Sequence, residues 1–140
     1  MAEKFKILTQ FVKDMSSETP NVETYLYVKE YLKNYNLNID ITTKPLKNRM
    51  IEIDTKLSYM DKSKSKNKSY FEITYASIVQ INEQIKDRKI IEKIILCDVQ
   101  KEIYPSLEKV FLNLLSNSGF PGIKFEKKVD FEQLYNQRLN

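Results

Sequence analysis

Residues Lys13 to Asn21 read KDMSSETPN and place two carboxylates, Asp14 and Glu18, on either side of a Met-Ser-Ser core just ahead of Pro20. Ionised carboxylates in such a setting can accept charge-assisted hydrogen bonds from lysines and arginines of a partner. They can also cap local backbone N–H groups beside the proline. Composition restricts other chemistry. With no histidine and one cysteine, the usual zinc sites and any Ser-His-Asp or Cys-His device cannot be built within one chain. The two glycines, Gly119 and Gly122, stand together, so neither a phosphate-cradling loop nor a dinucleotide fingerprint exists. Nineteen Asp and Glu on a chain that is 30% charged bring carboxylates together by chance, and no pair reads as catalytic. The expectation is a protein that is not an enzyme and uses no metal or cofactor.

The balance of 23 Lys+Arg against 19 Asp+Glu gives net charge +4 and permits attraction to anionic partners. Part of the excess sits in DKSKSKNK, Asp61 to Lys68, with four lysines and one aspartate. A solvated hairpin loop explains it; a nucleic-acid-binding module using Lys62 to Lys68 is the functional alternative. Nucleic-acid sites interleave arginines and aromatics with lysines, and this stretch has neither, so no nucleic acid is expected. Cys97, in IILC, reads as core, and a lone cysteine fits a reducing cytoplasm. Glu3, Lys4 and Lys6 interrupt the opening apolar residues, unlike a signal peptide. No apolar run approaches the ~20 residues that span a bilayer. A soluble cytoplasmic protein without stable membrane insertion is expected. At 140 residues, one domain over 1–140 is expected, with a core that needs no metal or disulfide.

The elements that must position these residues follow from periodicity. FKI starts a strand that runs through Phe11 and Val12 towards Asp14. NLNIDIT, MIEIDTKLSYM and SYFEITYASIVQI alternate apolar and polar residues, which argues for an antiparallel sheet with one packed face. Between the first two strands, Asn21 can cap a short helix with Tyr25, Leu26, Lys29 and Leu32 on one side. The second half changes period. Ile90, Ile91, Ile94, Ile95 and Val99 are spaced as in a helix, and Pro105 is expected to open a second helix with the stripe Leu107, Val110, Phe111, Leu114 and Leu115. Gly119 provides its stop, and Asp130 caps a last helix carrying Phe131, Leu134, Tyr135 and Leu139. Strands followed by helices make an α+β fold. The stripes of the two main helices are broader than one sheet contact requires, which leans towards an oligomer.

Three stretches carry a resemblance. FVKDMSSETPN resembles the N-terminal signature of the SecB family of protein-export chaperones. SYFEITYASIVQI is similar to that family's fourth strand, and EIYPSLEKVFLNLLSNSGFPGIKF with VDFEQLY is similar to its second helix, Phe-Pro loop and closing helix. The resemblance implies a four-stranded antiparallel sheet followed by two main C-terminal helices, assembled as a dimer of dimers (a homotetramer). It implies an ATP-independent holdase that binds unfolded precursor proteins and delivers them to the translocation ATPase SecA. The SecA-binding patch carried over by motif is Asp14, Glu18, Tyr70 and Glu72. The client-binding positions are Tyr31, Leu37, Ile39, Tyr135 and Leu139. For Leu37 and Ile39 ordinary core packing is the competing reading; Tyr31 and Tyr135 suit a surface that is wet at one end. Tyr31 stands where tryptophan is usual, and the basic net charge departs from an acidic family. Within the family, a chaperone dedicated to one client, such as an antitoxin, is the alternative.

Overall fold

The computed structural model describes residues 3–63, 67–125 and 129–138. Four strands, β1 (Phe5–Glu18), β2 (Tyr35–Pro45), β3 (Met50–Asp61) and β4 (Tyr70–Ile81), form one antiparallel sheet in the order β1-β4-β3-β2. Period-two alternation sets the faces. Ile53, Leu57, Tyr59, Phe71, Ile73 and Tyr75 are buried on the inner face, while Glu52, Asp54, Lys56 and Glu72 lie on the outer one. The Lys62–Lys68 stretch joins β3 to β4, and its middle lies outside the described residues.

The β2–β3 turn places Asn48 and Arg49 at φ of 60° and 59°. Arginine is a poor choice for this left-handed region. Its guanidinium holds it there by donating to the carbonyls of Ile81, Asn82 and Ile85 at the end of β4.

Helix α1 (Val22–Glu30) starts as expected, with the Asn21 side chain accepting from the Thr24 N–H at 2.8 Å. Its buried face differs from the expected one. Thr24 and Val28 point inward, while Leu26 is 58% exposed. Tyr25 sets the docking: its hydroxyl donates to the Gly119 carbonyl at 2.8 Å and its ring packs on Phe120.

Pro105 does not open a helix. One helical run extends through α2 (Arg88–Lys93), a wider π-turn (Ile94–Asp98) and α3 (Val99–Asn117), with Pro105 inside α3. The carbonyl that would have bonded the proline N–H belongs to Lys101, an exposed residue whose backbone water can satisfy. The π-turn, where the Val99 N–H reaches back to Ile94, adds a residue and shifts the helix phase. Four consecutive residues, Ile94 to Cys97, are therefore buried, and the stripe resumes as Ile103, Leu107, Phe111 and Leu115. Gln100, fully buried, bridges the layers: Thr55 Oγ1 donates to its Oε1 at 3.0 Å and its Nε2 donates to the Ile95 carbonyl at 3.4 Å.

Helix α3 ends at a glycine, as expected. Gly119, at φ 101°, allows the Phe120 N–H to reach the Leu115 carbonyl and its own N–H to reach Ser116. Helix α4 (Phe131–Arg138) is capped by Asp130, which accepts from the Gln133 N–H at 3.0 Å. Strands first and helices after them give the expected α+β architecture, with the main helices drawn into one long run and a short closing helix.

Candidate functional site

Two surfaces gather the residues singled out by sequence. The first is a groove of about 970 Å³ along β2. Leu37 and Ile39 of β2 and Tyr59 of β3 form one wall; Ile123, Phe125 and Leu134 form the other. The wall across from β2 exists because the chain turns at Gly119 and returns over the sheet towards α4. Phe125 is fixed by edge-on contact with Tyr59, centroids 5.6 Å apart, and stacking on Phe111 at 6.3 Å. The rim is polar, with Lys33, Asn38, Asp130 and Gln133. Because β2 pairs only with β3, the backbone groups on its other edge are unpaired within the sheet. Such a groove offers apolar contact and main-chain hydrogen bonds without reading a particular sequence.

Of the client-binding positions expected from the sequence, the structure brings Leu37 and Ile39 to this groove. Tyr31 is half-buried and packs on Tyr27, centroids 4.5 Å apart, away from the groove lining. Tyr135 is buried in the core and lines a different cavity beside Ile90 and Ile94. Leu139 lies outside the described residues. Tyr59, Phe125 and Leu134 were not among the client-binding positions expected from the sequence. Tyr59 follows the same alternation as Leu37 and Ile39 on a neighbouring strand, but periodicity does not say which inner-facing residues remain uncovered.

The second surface is the outer face of the sheet. The register sets Ser16 opposite Glu72, Glu18 opposite Tyr70 and Asp14 opposite Thr74. Alternation thus gathers Asp14, Glu18, Tyr70 and Glu72 at one outer corner. Local capping does not account for the first two, since both lie within β1 and Asn21 caps α1. Lysines that the sequence reading did not single out share this face. Lys13 sits at a bulge in β1 and reaches over β4 to Glu52 Oε2 at 2.6 Å and Asp54 Oδ2 at 2.8 Å. Hydrogen bonds to Asp54 and Glu52 hold the Lys13 ammonium above the usual lysine range. In return, the hydrogen bond from Lys13 pulls Glu52 below the usual carboxylate range. Lys56 pairs with Glu72. Among the described residues, no group of three or more His, Cys, Asp or Glu is placed to hold a metal ion. No described helix is long and apolar enough to cross a membrane.

A family model, preprotein translocase subunit SecB, matches residues 1–140. The chain belongs to the SecB family. A provisionally named protein-export protein SecB of Pelagibacter ubique (strain HTCC1062) is 55% identical over 140 residues, covering all of both chains. The protein-export protein SecB of Parvibaculum lavamentivorans is 27% identical over 138 residues, 98% of this chain and 80% of that protein. Among solved structures, the Rv1957 SecB-like chaperone of Mycobacterium tuberculosis, in complex with a ChAD peptide from the Rv1956 HigA1 antitoxin, superposes with a TM-score of 0.65. That match is 9% identical and covers 90% of this chain and 88% of the other, so it speaks for the fold alone. Membership makes this a SecB-family protein-export chaperone with the family's α+β fold.

Proposed function

We propose that this chaperone is an ATP-independent holdase, not an enzyme, that keeps precursor proteins unfolded in the β2 groove and passes them to SecA at the outer acidic corner. The observation that carries this reading is an open groove with aliphatic and aromatic walls along an unpaired strand edge. An extended client segment laid there gains main-chain hydrogen bonds and buries alternate side chains, each contributing about 1.5–3 kcal/mol when fully covered. Leu37 and Ile39 contact the client directly. Tyr31, half-buried on the crossover, extends this client surface, while Tyr135 packs in the core.

At the outer corner, Asp14, Glu18 and Glu72 receive basic side chains of SecA, and Tyr70 supplies a half-exposed ring beside them. The protein works in the cytoplasm as one domain assembled into a dimer of dimers, without cofactor or nucleic acid. Strand β1 supports the assembly, because Leu8, Phe11, Val12 and Met15 are exposed along an unpaired edge. Specialisation for a single client such as an antitoxin is the second reading, favoured by the fold shared with a chaperone bound to an antitoxin peptide.

Titrating a labelled, permanently unfolded polypeptide at low and high salt tests the holdase reading, with a folded protein and a nucleic-acid oligomer as parallel probes. Binding of the unfolded chain that survives high salt is expected, with little binding of the other two. Binding of the oligomer alone, abolished by salt, would overturn it. Competition among unrelated unfolded chains separates a general export role from a single-client one.

A further inference from the structure

The carboxylates of the outer sheet face are of two kinds. Asp14 and Glu18 are exposed in β1 and make no ion pair among the described residues. Glu52, Asp54 and Glu72 are each held by a lysine of this same chain. The two lysines that do this are not alike. Lys13 binds two carboxylates whose side chains are only 18% and 20% exposed, so it braces β1 against β3. Lys56 holds Glu72 alone, in a pair with side chains 45% and 35% exposed. A pair so open to water contributes little to stability and is readily exchanged.

The register offers Lys56 a second carboxylate. It stands directly opposite Asp40 on β2 and opposite Thr74 on β4, with Glu72 two residues along β4 from Thr74. Directly opposed and diagonal neighbours are both within reach of a lysine stem. The face as a whole is acidic although the chain carries +4. Six carboxylates (Asp14, Glu18, Asp40, Glu52, Asp54, Glu72) share it with four lysines (Lys6, Lys13, Lys44, Lys56).

We propose that Lys56 is an internal competitor for the docking corner: its ammonium occupies the Glu72 carboxylate that a basic partner segment requires, and docking exchanges one ammonium for another while Asp40 receives the displaced Lys56. This rests on the reading of the outer corner as the site for a basic segment, and it adds the residue that sets how tightly that segment is held. Exchange replaces one charge-assisted hydrogen bond by a similar one, so Glu72 adds little net affinity while Lys56 is present. Asp14 and Glu18, free of such competition, supply the attraction that initiates docking.

The test titrates a short fluorescein-labelled peptide of lysine, arginine and glycine at low salt. The proteins compared are wild type, Lys56→Met, Glu72→Gln, the double variant, Lys6→Met, and Asp14→Asn with Glu18→Gln. Lys56→Met keeps the aliphatic stem, and circular dichroism melting of each variant verifies the fold. Lys56→Met is expected to tighten binding about 3–10-fold, against less than about twofold for Lys6→Met, which removes the same charge from the same face. In the Glu72→Gln background the gain should vanish. A Lys56→Met gain no larger than that of Lys6→Met, or one undiminished without Glu72, would overturn the competition and leave only a net-charge effect. Wild-type binding that does not weaken in the Asp14→Asn, Glu18→Gln variant would instead remove the docking corner itself, and the competitor with it.

Discussion

The sheet has two edges built on alternating sequence, and the rest of the chain treats them differently. Along β2, Tyr35 is buried and Leu37, Ile39 and Ile41 are half-buried, with Leu37 and Ile39 facing the returning chain across the groove. Along β1, Leu8, Phe11, Val12 and Met15 expose between 41% and 48% of their surface. The difference comes from coverage: the stretch after Gly119 and α4 wall the groove along β2, whereas these four β1 side chains remain exposed. A long uncovered apolar edge is an aggregation hazard unless something occupies it. On the function proposed above, the two edges take two kinds of occupant: a transient extended client over β2, and a second copy of the chain along β1. The bulges at Leu8 and Lys13 add twist to β1, which limits flat edge-to-edge stacking.

The sharpest contrast between the edges is in what their aromatic residues do for folding. Tyr35 donates to the Ser69 carbonyl at 3.0 Å, accepts from the Ser69 N–H at 2.9 Å, and packs on Tyr59 and Phe71. Tyr35→Ala should cost about 3–5 kcal/mol in denaturant unfolding, since it opens a cavity and strands two backbone groups. Phe11→Ala, on the exposed edge, should stay within about 0.5 kcal/mol at low protein concentration. Equal costs at the two positions would mean that β1 is buried within the folded chain itself.

The next largest effect tests the occupant of β1. Val12→Lys with Met15→Lys places two charges on the uncovered edge and should weaken self-association at least about a hundredfold, roughly 2.7 kcal/mol. Sedimentation velocity would register this as a loss of the larger species; an unchanged distribution would take β1 out of the assembly. Smaller again, Leu37→Asp with Ile39→Asp should lower affinity for an unfolded polypeptide about tenfold, or ~1.4 kcal/mol, because a buried carboxylate repels apolar segments. Anisotropy measures that loss, and the β1 variant should show less of it.

The smallest expected effect is a pH dependence. Burial pushes the Tyr35, Tyr59 and Tyr104 phenols above their ordinary value of 10.0. A folded value above the unfolded one gives stability that is fully present below about pH 10 and is lost as pH rises through the folded values. Lys13 and Lys101, also raised, act in the same direction. Melting temperature should thus be flat between about pH 6 and 9 and fall above about pH 10, with a shallower fall in Tyr35→Phe. A fall of equal steepness in that variant would place the titration elsewhere.

Much of this was legible in the chain. The four strands and their inward residues follow from alternation, which is a local property, and the register keeps Asp14, Glu18, Tyr70 and Glu72 on one face because side-chain direction repeats every two residues. Caps at Asn21 and Asp130 and the stop at Gly119 are equally local. Pro105 misled because a proline at a first helical turn and one tolerated on an exposed face look the same in sequence. The reach of Lys13 over β4 depends on a bulge, and nothing in the residues around Lys13 announces one. Phe125 and Leu134 became groove walls only through the chain's return over β2.

By itself, then, the sequence determined what repeats at short range: strand and helix periods, the packed face of each strand, and the residues that start and end helices. Tertiary structure alone decided which edge of the sheet is covered, how the π-turn rephases the long helix, and which lysine sits on which carboxylate. Those outcomes depend on contacts between residues far apart in the chain. They are set by how whole elements pack, a balance that no local window of residues contains.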